Sequence, residues 1–167
     1  MTYPGMPQGM AIGGTALTIG GADAPATAGN TPTMAHLMDG NKNRLVAIIP
    51  TKIERNVKAP GDGDKVQDRI TADVLIIDGG PFTFGGKPLQ RPPVADTMMV
   101  QQLPYLALGM WISNKVLITQ LERKVGQGIA VGRLYYGEAT NGNNAPYKIT
   151  EDPTPEEIDF VTRWWAA

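Results

Sequence analysis

From residue 44 onward, apolar and polar positions fall into a regular order. Residues 44–57 (RLVAIIPTKIERNV) begin with a continuous apolar run, then alternate Thr51, Ile53, Arg55 and Val57 against Lys52, Glu54 and Asn56. Pro50 marks a bend or an edge, and the pattern predicts a long first strand. Residues 58–67 (KAPGDGDKVQ) form a turn-rich loop. Residues 68–78 (DRITADVLIID) set Ile70, Ala72, Val74 and Ile76 against Arg69, Thr71 and Asp73, a second strand with one apolar face that stops at Gly79-Gly80-Pro81. Residues 81–96 hold four prolines and read as a long exposed connection, a length that usually carries function.

A third strand fits residues 103–112. Residues 114–125 then place Leu117, Leu121 and Val125 at helical spacing, with Ser113 or Asn114 to cap and Gly126 to terminate a three-turn helix. Residues 129–139 return to strand character, 140–145 form a turn and 146–150 a short last strand. Thr154-Pro155-Glu156-Glu157 is a capping box with proline in the first turn, and it starts a helix over 156–165 with Ile158, Val161 and Trp165 on one stripe.

The order of elements predicts a fold that is mainly β with two helices (α+β). It matches a five-stranded OB-type barrel, with one helix between strands three and four and a second at the C-terminus. In such a barrel, ligands lie across strands two and three, between the loop joining strands one and two and the loop joining four and five. Those loops are 58–67 and 140–145.

Residues 1–43 differ in composition. They are rich in Gly, Ala, Thr, Met and Pro, only Asp23, Asp39 and Lys42 are charged, and no period is sustained. This segment reads as a flexible arm ahead of a binding domain at 44–167. Its short apolar pieces, 10–12 and 16–19, could at most add a strand to a sheet edge. His36, the single histidine, reads as a solvated residue of the arm.

Composition narrows the chemistry. The 167 residues include no cysteine, which removes disulfides and thiolate metal sites and agrees with a cytoplasmic location. Fifteen Lys and Arg against 16 Asp and Glu exclude a protein held to duplex DNA by bulk charge, so any polyanion needs a local patch. No apolar run is long enough to cross a bilayer, and the sequence reads as soluble and unexported.

The segments RLVAIIPTKIE, QDRITADVLIIDGG and GRLYYGEATNGNNAPYKITEDPTPEEIDF resemble a group of small single-stranded-DNA-binding proteins of tailed phages that infect actinobacteria. The likeness covers about three quarters of the chain, and its motifs are strand and turn patterns. It implies an OB-fold coating unpaired DNA during phage replication or recombination, in the cytoplasm of the host. Replication or recombination proteins would be possible partners.

Binding of single strands needs aromatic faces for bases and cations along the backbone, with stacking contributing about 1–3 kcal/mol per base. The candidate cations are Lys52, Arg55, Lys58, Lys65, Arg69, Lys87, Arg91 and Arg133. The candidate rings are Phe82 and Phe84 on the long connection, Trp111 ending the third strand, and Tyr135. Tyr135 and Tyr136 are strand neighbours and point to opposite faces, so one can be core and the other open. Trp111 and one of these tyrosines serve a small core as readily as a base.

Catalytic signatures are missing. Without cysteine and with one arm histidine, neither a nucleophilic pair nor a zinc ligand set assembles. Gly85-Gly86-Lys87-Pro88 lacks the leading glycine and the hydroxyl of a phosphate loop. Strand alternation separates Asp73 from Asp68 and Asp78, which disfavours a two-metal nuclease. The expectation is a non-enzymatic, homo-oligomeric binder of single-stranded DNA that needs no cofactor. The alternative is a virion or scaffold protein that assembles through the barrel and its arm.

Overall fold

The structure, a computed structural model, describes residues 11–12, 15–16, 32–40, 42–58, 65–83, 99–100, 103–139, 142 and 145–166. Its strands are β1 (Ala11–Ile12), β2 (Thr15–Ala16), β3 (Leu45–Lys58), β4 (Val66–Ile76), β5 (Phe82–Thr83), β6 (Met99–Val100), β7 (Tyr105–Ile112), β8 (Gly128–Tyr136) and β9 (Tyr147–Ile149). The helices are α1 (Met34–Met38), α2 (Lys115–Leu121), which runs into a 3₁₀ turn at Glu122–Lys124, and α3 (Pro155–Ala166).

The molecule is mostly β. Five strands form a curled antiparallel sheet in the order β9-β8-β3-β4-β7. Curling follows from irregularities in the ladder: the register slips between Pro50 and Lys52, between Glu54 and Val57, and between Ala72 and Val74. Among the described residues β7 and β9 do not pair, so the sheet is a half-barrel with a seam between them. Thr33, Met34 and Ala35 line a 130 Å³ cavity together with Trp111, Asn114 and Tyr147, which puts the start of α1 at that seam.

Because β3 is apolar on both faces over its first half, it serves two cores. Val46 and Ile48 join Ile70, Ala72, Val74, Met110, Ile112 and Leu134 in an inner core closed by α1 and α2. Leu45, Ala47 and Ile49 join Leu75, Leu106, Ile129 and Val131 in an outer core covered by Val161 and Ile158 of α3. The capping box forms as expected: the Thr154 N–H donates to Glu157 Oε1 at 2.8 Å, and the Glu157 N–H to Thr154 Oγ1 at 3.1 Å.

Two sequence expectations change. Among the described residues there are three helices, not two, because Met34, Leu37 and Met38 of α1 are buried in the inner core. The packed body therefore includes residues ahead of Arg44. His36 is not a solvated arm residue: it is 1% exposed, and its Nδ1 accepts the Thr33 N–H at 2.9 Å. The arm also supplies β1, which pairs in parallel with the start of β8 through Ala11↔Gly128 and Ile12↔Ile129.

Arg44 ties α1 to the sheet. It is 1% exposed; Nε donates to the Leu37 carbonyl at 2.9 Å and Nη1 to the Gly80 carbonyl at 2.8 Å, with the guanidinium 4.9 Å from the Phe82 ring centre. Burial lowers its pKa, while Asp78 and Asp39 work against that. The turn needs glycine where it passes over this side chain, since Gly79 has φ +103° and a Cβ there would strike Arg44.

Candidate nucleic-acid interface

Strand alternation and register build the site. Beyond the slip at Pro50, Ile53 packs on the inner core, so Lys52 and Glu54 face outward. On β4, Ile70 and Ala72 face inward and Arg69 and Thr71 outward; on β7, Met110 and Ile112 face inward and Trp111 outward. The register aligns Lys52 with Thr71, Thr71 with Trp111, and Glu54 with Arg69. The outer core under α3 ends at Ile49, Leu75 and Leu106, and past it the same face continues as this polar and aromatic strip.

Within the strip, the Arg69 guanidinium lies 4.0 Å from the Trp111 ring centre and its Nη2 donates to Glu54 Oε1 at 2.9 Å. That hydrogen bond holds the Glu54 carboxyl below its ordinary range, and Lys52 at 3.7 Å adds to the effect. The result is a cation–ring pair fixed by a carboxylate, with the Arg69 side chain 16% exposed and Trp111 half-buried. Lys58 and Lys65 are exposed where the β3–β4 hairpin opens, and among the described residues no carboxylate is within ion-pair range of either. Leu108 is 39% exposed at the irregularity of β7, where Asp73 accepts the Gly109 N–H at 2.7 Å.

Other predicted residues go elsewhere. Phe82, read from the sequence as an exposed loop ring, is a core residue: it is 5% exposed and edge-on to Tyr105 at 6.2 Å. Arg55 points to the α2 side of the hairpin, where Nη1 donates to Asp68 at 2.9 Å and Nη2 to Glu122 at 3.1 Å. These bonds raise the Arg55 pKa and depress that of Asp68. Arg133 is a strap, bonded to Asp78 at 3.0 Å, to Glu157 of α3 at 3.2 Å and to the Asn43 carbonyl at 3.0 Å. Both arginines thus have their charge balanced by two carboxylates. Phe84, Lys87 and Arg91 lie outside the described residues.

Tyr135 and Tyr136 do take opposite faces, yet neither is buried. Tyr135 stands across from Lys148, whose Nζ is 5.9 Å from its ring centre, on the wall of a 480 Å³ cavity. Tyr136 is 39% exposed, packs edge-on to Tyr147 at 5.6 Å and donates its hydroxyl to the Met38 carbonyl at 3.3 Å. Burial pushes the Tyr147 phenol up. Lys148 on the wall of the 480 Å³ cavity, and Lys115 and Tyr147 on a neighbouring cavity of 270 Å³, were not among the residues selected from sequence. Lys115 opens α2, whereas the signal for Tyr147 and Lys148 was the last hairpin, which puts Lys148 opposite Tyr135 in any register that aligns the two apolar residues Leu134 and Ile149.

No protein-family model, curated protein or solved structure matches the chain. Among the described residues no helix is long and apolar enough to cross a membrane.

Proposed function

We propose that the chain is an OB-type, non-enzymatic binder of single-stranded DNA that works as a homo-oligomer in phage replication or recombination. The strand order β9-β8-β3-β4-β7, with α2 following β7 in the chain, supports the OB-type reading. The observation that carries the function is the Arg69–Trp111 pair on the outer face of β4 and β7, beyond the reach of the outer core and next to the opening of the β3–β4 hairpin. Trp111 stacks on a base, while Lys52, Lys58 and Lys65 meet phosphates. Recognition of the backbone and of any base's π-face gives binding without strong sequence preference.

The deciding experiment is titration of the full chain with oligo-dT and with duplex at several salt concentrations, read by indole fluorescence in the wild type and in Trp111→Phe. Single-strand binding that weakens steeply with salt, with a quench that depends on Trp111, is the expected result. Absence of binding at low salt overturns the proposal.

One observation favours a second reading, a virion or scaffold protein. The arm strand β1 adds in parallel to the edge of β8, and the same pairing joins neighbouring copies if the arm reaches across. Assembly of that kind tolerates salt, whereas DNA binding does not.

A further inference from the structure

A second track of cavities runs on the other side of β7. A groove of 570 Å³ separates the far end of the β3–β4 hairpin from α2 and is lined by Lys65, Gln67, Ser113 and Lys115. Lys115 also lines the next cavity, of 270 Å³, which reaches Pro146 and Tyr147. Pro146 and Val116 in turn border the 480 Å³ cavity of Tyr135 and Lys148. The three adjoin through shared walls and extend from the β3–β4 opening, past the start of α2, to the loop joining β8 and β9.

The charges along this path are sorted. In the first groove both acids, Asp68 and Glu122, are bonded to Arg55, and Lys65 and Lys115 project with no carboxylate in ion-pair range among the described residues. Lys148 continues the cationic lining to the Tyr135 ring, and Glu138 stands where it ends. Successive ammonium groups from Lys65, Lys115 and Lys148, polar walls and a terminal aromatic ring match an extended phosphodiester with unstacked bases, not a compact ligand.

We infer that this chain of cavities is a second track for single-stranded nucleic acid, entered at the β3–β4 opening beside the Arg69–Trp111 strip. Lys65 is common to both tracks, and Lys115 and Lys148 belong to the second alone. The inference rests on the proposed single-strand binding and extends it: a short oligomer occupies the outer strip, and a longer one continues past Lys65 over α2 to Tyr135.

The test is the affinity of the full chain for oligo-dT of about 10 and about 30 nucleotides at low salt, the first within the length one OB-type site takes and the second well beyond it. It compares the wild type with K115E/K148E and with W111A. In K115E/K148E the affinity for the long oligomer falls about tenfold or more and its salt dependence flattens, while the short oligomer binds within about twofold of wild type. W111A weakens both lengths. Equal affinity of K115E/K148E and wild type for the long oligomer, or an equal loss at both lengths, overturns the second track and leaves the first intact. Failure of the wild type to bind either length overturns both. Unchanged thermal midpoints confirm that the variants fold.

Discussion

The Arg69 guanidinium lies 4.0 Å from the Trp111 ring centre while it donates to Glu54 at 2.9 Å, so one carboxylate fixes the orientation of the cation on the ring. Loss of the ring in Trp111→Ala is expected to weaken oligo-dT binding by about 1–3 kcal/mol, roughly five- to 150-fold. Glu54→Gln removes a negative charge from the strip. It is expected to tighten binding at low salt, with the gain disappearing as salt rises. Fluorescence titration checks both, and tighter binding by Trp111→Ala would contradict the site.

Acid should loosen the β3–β4 hairpin. The carboxyls of Glu54 and Asp68 are held below their ordinary values of 4.5 and 3.8, chiefly by hydrogen bonds from Arg69 and Arg55. A depressed carboxyl contributes stability that is fully present above its unfolded value and is lost as pH falls through its folded value. Urea midpoints are therefore expected to hold steady above about pH 5 and to drop below about pH 4. In a Glu54→Gln, Asp68→Asn double variant part of that fall is absent.

Arg44 is the buried joint between α1 and the end of β4. Replacement by methionine keeps the aliphatic stem but leaves the Leu37 and Gly80 carbonyls without their donor, at a cost of about 2–4 kcal/mol. The expected outcome is a lower urea midpoint at constant slope. Oligo-dT affinity measured well below the unfolding transition is unchanged, since Arg44 is remote from the outer strip.

Gly132 is required by the approach of β9 to β8. A Cβ there would meet the Thr150 carbonyl, whose own residue bonds both ways with Arg133: Thr150 N–H to the Arg133 carbonyl at 3.0 Å and the Arg133 N–H to Thr150 Oγ1 at 2.9 Å. Gly132→Ala is expected to destabilise by about 1–3 kcal/mol through overpacking, and hydrogen exchange is expected to speed up in β9 before β4.

Much of the sheet was legible because its signals are local. The apolar run and alternation of 44–57 became β3, the alternation of 68–78 became β4 with ends two residues earlier, and the capping box at Thr154 started α3. The site was less so. Lys52, Arg69 and Trp111 come from three strands and share a face because of register and of the slips that re-aim β3 and β7. Phe82 read as an exposed loop ring because a stretch with four prolines carries no period; what buries it is Tyr105 and Arg44, 23 and 38 residues away.

By itself the sequence determined where strands and terminal helix lie, since a strand's two-residue period and a helix's cap are set within a few neighbours along the chain. Tertiary structure alone decided which charges remain available. Arg55 and Arg133 look like Lys58 and Lys65 in a list of cations, but the fold brings two carboxylates to each of the first pair and, among the described residues, none to the second. It also decided that His36 and α1 belong to the core, because the gap they cover exists only once β7 and β9 are curled towards each other without pairing.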